Sequence, residues 1–134
     1  MILDTSALIA ILRNEPDSLF FAQQLANRTE PCRISAANYL EASIVIDSGR
    51  NPLASRFLDD LLDKADIRIE AVTVRQATIA RNAYRTYGKG SGHPARLNFG
   101  DCFAYALAKE TSECLLFKGD DFIHTDIILR TVGL

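Results

Sequence analysis

The chain has 134 residues, a length that fits one domain, read here as a single domain over 1–134. Hydrophobic residues make up 48% and charged residues 24%, which excludes wholesale disorder and a coiled coil. The 15 Lys+Arg against 17 Asp+Glu leave a formal charge of −2, a total that taken alone argues against a nucleic-acid binder.

The ends and the cysteines point to the cytoplasm. The first apolar run, Ala7 to Leu12, has no basic stretch before it, and Asp4 interrupts its approach. No run nears the roughly 20 apolar residues of a membrane span. Cys32, Cys102 and Cys114 are odd in number, far apart and without zinc or redox spacing. They read as small apolar residues in a reducing compartment.

In chain order, Met1-Ile2-Leu3 reads as a strand, followed by a helix that Thr5 or Ser6 can cap, running to about Arg13. Pro16 suits the first turn of a second helix, about Asp17 to Asn27. Cys32 to Ser35 is a strand, Ala37 to Asp47 a third helix and Leu53 to Lys64 a fourth. The apolar Tyr39-Leu40 and Ile44-Val45-Ile46 predict that the third helix is largely buried. Ile67 to Val72 alternates at period two and reads as a strand. Val74 to Tyr87 is helical, with Ala77, Ala80, Ala83 and Tyr84 on one face. Gly88 to Pro94 is a flexible loop by composition. Asn98 to Glu110 is a strongly apolar helix, Cys114 to Phe117 a buried strand, and Ile127 to Leu129 a last short strand. Alternating strands and helices predict an α/β fold with a mainly parallel sheet. In such sheets ligands bind at the carboxyl ends of the strands.

Carboxylates occupy those places. Asp4 closes the first strand, and Glu41 sits in the helix after the second. Asp101 lies in the first turn of the apolar helix, where Asn98 and Asp101 also have the spacing of a cap and its partner. Asp120 and Asp121 follow the penultimate strand. Each acid has an ordinary reading as a cap or a turn. Together they converge on one sheet edge, where like charges repel unless a cation neutralises them. Hard oxygen donors suit Mg²⁺ or Mn²⁺. Neither His93 nor His124 has a partner at metal-ligand spacing, which argues against zinc.

Four segments, in order, carry a family resemblance: Ile2-Leu3-Asp4-Thr5-Ser6-Ala7-Leu8, Tyr39-Leu40-Glu41-Ala42, Leu97-Asn98-Phe99-Gly100-Asp101-Cys102, and Leu115-Leu116-Phe117-Lys118-Gly119-Asp120-Asp121-Phe122. The chain resembles, over essentially its whole length, a PIN-domain ribonuclease of the VapC type, the toxin half of a type II toxin–antitoxin pair. The resemblance implies a three-layer α/β/α fold and three or four acids around one or two Mg²⁺ ions. It matches Asp4 and Asp101 to the main metal ligands and Glu41 to the third acid. For the fourth acid Asp121 is favoured over Asp120, because it directly precedes Phe122. Thr5 and Ser6 match the polar positions beside the first acid. The implied products carry a 5′-phosphate and a 3′-hydroxyl. The implied partners are RNA and a VapB-type antitoxin laying a hydrophobic segment near the first helices, with Phe20, Phe21 and Phe57 as candidate groove residues. Homodimerisation, common in the family, is a further partner reading.

The charge distribution revises the opening inference. From Arg68 to Arg96 six cations stand against Glu70 alone, a local +5, whereas Asp59 to Asp66 holds four acids and one lysine. Arg85, Lys89 and Arg96 are the candidate phosphate contacts, with Arg81 one turn before Arg85. Tyr84, Tyr87 and His93 are candidate base-stacking side chains. Two rival readings stand beside the metal-dependent ribonuclease. One is a non-catalytic interaction module on the same fold. The other is an aspartate-nucleophile phosphotransferase, which usually has a second aspartate where this chain has Ser6.

Overall fold

The computed structural model describes residues 1–130. Four strands, β1 (Ile2–Leu3), β2 (Cys32–Ser35), β3 (Ile67–Glu70) and β4 (Leu115–Leu116), form one sheet in the order β3-β2-β1-β4. Every pairing is parallel, with Ile2 beside Arg33 and Leu115, and Ile34 beside Ile69. Six α-helices cover it: α1 (Thr5–Leu12), α2 (Ser18–Ala26), α3 (Ala36–Asp47), α4 (Pro52–Lys64), α5 (Val74–Tyr87) and α6 (Phe99–Thr111). This is the expected α/β architecture with a parallel sheet flanked by helices.

Side chains alternate across the two faces of a strand, and here the alternation divides the core. Leu3 and Leu116 join Leu8, Phe21, Ala42 and Leu58 on the face covered by α1 to α4. Ile2 and Leu115 join Ala83, Leu107 and Phe122 on the face covered by α5 and α6. Strands β1 and β4, two residues each, are buried on both sides, whereas edge strand β3 is exposed at Arg68 and Ile69. The predicted strand over 67–72 stops at Glu70, and β4 keeps only the middle of 114–117. The predicted last strand is a single parallel bridge from Leu129 to Leu115.

Helix starts follow the caps that the sequence supplies. The cap of α1 is Asp4 rather than Thr5 or Ser6, which lie inside the first turn; Asp4 accepts from the Ser6 amide, Ser35 from Ala37, Thr73 from Gln76 and Asn98 from Asp101. Asn51 caps α4, with Pro52 at its first position, where a missing N–H costs nothing.

Three expectations change. Helix α3 is not largely buried: Leu40 is 56% and Ile44 59% exposed, and only Asn38, Ala42 and Ile46 turn inward. The alanine face of α5 is only partly covered: Tyr84 lines one cavity with Ala77 and Ala80 and is 46% exposed. The glycine-rich loop is clipped shut at its base, where Lys89 N donates to Leu97 O at 2.9 Å and Leu97 N to Tyr87 O at 2.8 Å. Of the cysteines, Cys32 and Cys102 are buried, Cys114 is half-buried, and all three are free. Among the described residues no helix is long and apolar enough to cross a membrane.

Candidate active site

The strand order places the site. From β1 the chain moves outward through β2 to β3, while β4 lies on the other side of β1, so the switch point falls between β1 and β4. Asp4 leaves β1 at that crevice, and Lys118, Asp120 and Asp121 follow β4. A cavity of about 380 Å³ opens there, lined by Asp4, Thr5, Ser6, Glu41, Asn98 and Asp101, with Arg13, Glu15 and Lys118 at its rim.

Asp4 is 3% exposed and does two jobs. Its Oδ2 caps α1 by accepting from Ser6 N at 3.0 Å and from Ser6 Oγ at 2.5 Å. Ser6 Oγ in turn accepts from Lys118 N at 2.9 Å, which ties the segment after β4 to the first acid. The other oxygen, Asp4 Oδ1, is buried and has no hydrogen-bond partner. Burying an unpaired carboxylate oxygen is costly. Burial, opposed by the two Ser6 hydrogen bonds and assisted by the Glu41 charge, pushes the Asp4 carboxyl up to about 6.

Asp101 also caps a helix. Its Oδ2 accepts from Asn98 N at 2.9 Å while Asn98 Oδ1 accepts from Asp101 N at 2.8 Å, a reciprocal box at the start of α6. Burial again pushes the carboxyl up, to about 7, against the Asn98 hydrogen bond and with help from the Asp4, Asp121 and Glu41 charges. The capping and site readings are therefore compatible in both residues. Asn98→Ala is expected to cost about 1 kcal/mol of stability through the lost cap, measured by urea denaturation.

Glu41 reaches the cavity from α3, where it is exposed. Thr5 Oγ1 donates to its Oε1 at 2.5 Å, and Asn38 Nδ2 lies 3.5 Å from the same oxygen. Asn38 is fully buried and donates to Gly100 O at 2.9 Å, fastening α3 to the first turn of α6. At Gly100 the two helices come close. A Cβ there would lie 2.9 Å from Glu41 Cδ and closer still to a carboxylate oxygen.

The remaining candidates are distributed unevenly. Asp121 opens a short 3₁₀ turn, Asp121–His124, is exposed, and its charge raises Asp101. Asp120 precedes that turn, is exposed and makes no side-chain cap. Lys89 is not in the acidic cavity but lines a neighbouring one with Arg81. Arg85 and Arg96 are exposed and line neither cavity. Tyr87 is half-buried against His93 and Tyr105, which leaves Tyr84 as the accessible ring of the predicted stacking set. Sequence reasoning missed the Lys118 amide, the Asn38–Gly100 fastening and Arg13 at the rim. Asn38 had a readable signal, as the one amide three residues before Glu41 on the same helix face.

The donors fit a hard divalent cation. They are carboxylate oxygens, one of them buried and unpartnered, in a cluster whose charges oppose one another. Among the described residues no three such side chains converge into a preformed cage, and Asp101 and Glu41 are held by Asn98 and Thr5 respectively.

A parallel α/β sheet gathering carboxylates at its switch point defines the class of protein. The particular family follows from comparison: the PIN domain model matches residues 1–128, and the chain belongs to that family. Ribonuclease VapC28 of Mycobacterium tuberculosis is 57% identical over 127 residues, covering 95% of each chain. Ribonuclease VapC42 of the same organism is 50% identical over 127 residues, covering 95% of this chain and 96% of the relative. Ribonuclease VapC30, also of M. tuberculosis, is 49% identical over 135 residues, covering 100% and 99%. The crystal structure of M. tuberculosis VapC20, described as a sarcin-ricin loop cleaving toxin, matches with a TM-score of 0.75 at 15% identity over 95% of both chains. It shares the fold.

Proposed function

We propose that this protein is a divalent-cation-dependent endoribonuclease, a toxin of the VapC type that a VapB-type antitoxin holds inactive. The observation that carries the reading is the pairing of Asp4 and Asp101. Both are pushed towards neutrality by burial, and Asp4 Oδ1 is buried without a partner. Relatives covering nearly the whole chain and named ribonucleases support RNA as the substrate.

Asp4 Oδ1 and Asp101 would hold Mg²⁺ or Mn²⁺, with Glu41 and Asp121 completing the acidic set. The cation, when bound, lowers the pKa of water and offsets charge growing on the scissile phosphate. The protein's part is positional. Ser6 fixes the Asp4 carboxylate, Thr5 fixes Glu41, and Asn98 fixes Asp101. Water attacks phosphorus, the bond to the 3′ oxygen breaks, and the products carry a 5′-phosphate and a 3′-hydroxyl. Asp121 is the better fourth acid than Asp120, since its charge is felt at Asp101.

For the antitoxin segment expected near the first helices, one groove is the candidate. A cavity of about 460 Å³ is lined by Ile11, Ala22, Leu25 and Leu61 between α1, α2 and α4. Of the aromatic candidates, Phe21 is in the core, Phe20 half-buried and Phe57 exposed.

Incubating the purified protein with single-stranded RNA tests the reading. Cleavage in Mg²⁺, its loss in EDTA, and a fall of about 100-fold or more in Asp101→Asn are expected, the order of one electrostatic group acting on the transition state. Equal cleavage by wild type and Asp101→Asn would overturn it. Absence of Mn²⁺ binding by calorimetry would favour the interaction module.

A further inference from the structure

The cavity next to the acids has a different character. It measures about 520 Å³ and lies between α5 and the first turns of α6, lined by Arg81, Tyr84, Lys89, Asn98, Phe99 and Phe103 among others. That volume falls within the roughly 300–1,000 Å³ of ligand clefts. Asn98 lines both this cavity and the acidic one, so the two are neighbours.

The walls are aromatic and fixed. Phe99 is 79% exposed at the first position of α6, a large exposure for a phenyl ring. It packs edge-on against Phe103, with ring centroids 4.9 Å apart. Tyr84 is held by its hydroxyl, which donates to Lys89 O at 3.2 Å. Its ring lies over Gly88, where a Cβ would come within 2.6 Å of Tyr84 Cδ2. Gly88 and Leu97 pair as an isolated bridge, which anchors the backbone beneath Lys89.

The rim is cationic. Among the described residues Arg81 and Lys89 make no ion pair, and neither do Arg85 and Arg96 of the same basic stretch. Unpaired positive charge over an apolar aromatic floor complements one class of occupant. A single-stranded polynucleotide carries an anionic backbone and flat apolar bases, and stacking on side chains is how such strands are held. An apolar protein face would match the aromatic floor but not the positive charge of Arg81 and Lys89 at its rim.

We propose that this groove is a nucleotide subsite for single-stranded RNA, with a base stacked on Tyr84 or Phe99 and the backbone met by Arg81 and Lys89, one step along the strand from the phosphate at the acids. The inference rests on the ribonuclease reading above and adds where the neighbouring nucleotide sits. Arg85 and Arg96, which line neither cavity, are outside this subsite.

The test is binding in EDTA, so that no strand is cut, of a uridine decamer and an abasic ribose-phosphate decamer of equal charge. The wild type is expected to bind the uridine strand more tightly. Tyr84→Ala and Phe99→Ala should each weaken it about fivefold or more, the order of one lost stacking contact, and shrink the preference over the abasic strand. Arg81→Ala should weaken both strands alike and lower the salt slope by about one.

Light scattering on the same variants tests the alternative. A dimeric wild type that Phe99→Ala makes monomeric would assign the groove to a second copy of the chain and overturn the proposal. Unchanged binding in all three variants would overturn it as well. If those variants also cleave normally while Asp101→Asn does not, the ribonuclease reading stands and the subsite alone fails. If the wild type cleaves no RNA at all, the ribonuclease reading itself fails.

Discussion

Asp4→Asn is expected to make the metal-free protein more stable at pH 8, and at the same time to abolish cation binding and RNA cleavage. The sign follows from linkage. Burial pushes Asp4 up to about 6 and Asp101 up to about 7, above an ordinary carboxyl near 3.9. Between roughly pH 4 and pH 7 the native state therefore binds more protons than the unfolded chain, and stability from these two groups falls as pH rises. Above that window both carboxylates are ionised against their surroundings. Asn removes the charge at Asp4 and keeps an acceptor for Ser6. Raising Asp4 from 3.8 to about 6 corresponds to about 3 kcal/mol at most. The weaker hydrogen bonds to a neutral acceptor reduce the net gain to about 1–2 kcal/mol. Asp101 is partly exposed, so solvent screens its share.

Urea denaturation of both proteins in EDTA at pH 5 and pH 8 measures the difference. The gain from Asp4→Asn should be about half as large at pH 5, where the unfolded carboxyl is already ionised while native Asp4 is mostly protonated, and largest at pH 8. Mn²⁺ should raise the melting temperature of the wild type and leave the variant unmoved. A variant less stable than wild type at pH 8, or one that still responds to Mn²⁺, would remove Asp4 from the proposed centre.

Much of the fold was legible because buried parallel strands leave a plain trace. Ile2-Leu3, Cys32 to Ser35 and Leu115-Leu116 are short runs bounded by caps, and the helix starts announce themselves in Asp4, Ser35, Asn51, Thr73 and Asn98. The placement of acids after strands was legible for the same reason, since a carboxylate after an apolar run is conspicuous. Exposure was harder to read. Leu40 and Ile44 look like core residues, yet the inward side of α3 is taken by Asn38, Ala42 and Ile46. A hydrophobic run does not say which of its faces another element will cover. The second layer of the site was equally hidden. That Lys118 N meets Ser6 Oγ, 112 residues away, depends on β1 and β4 lying side by side, which pattern alone does not order.

Gly100→Ala is expected to cost activity with little cost in stability. Gly100 is buried in the first turn of α6, and its carbonyl is held by Asn38 from α3, so neither backbone can easily retreat. A Cβ at this position meets the carboxyl end of Glu41. That end is exposed and flexible, so it is the part that gives way, swinging off Thr5 and out of the acidic cavity. The fold loses little, and alanine in a helix offsets part of the loss by about 0.5–1 kcal/mol relative to glycine. Cleavage should fall about tenfold or more, carried by kcat rather than KM, because contacts that bind RNA away from Glu41 are untouched. The decisive measurement is a double-mutant cycle with Glu41→Gln. If Gly100 acts by giving Glu41 its place, Gly100→Ala should have no further effect once Glu41 has lost its charge. An equal additional loss in the Glu41→Gln background would mean instead that the methyl disturbs Asp101, one residue along the same turn, and that the space at Gly100 serves the helix start rather than the third acid.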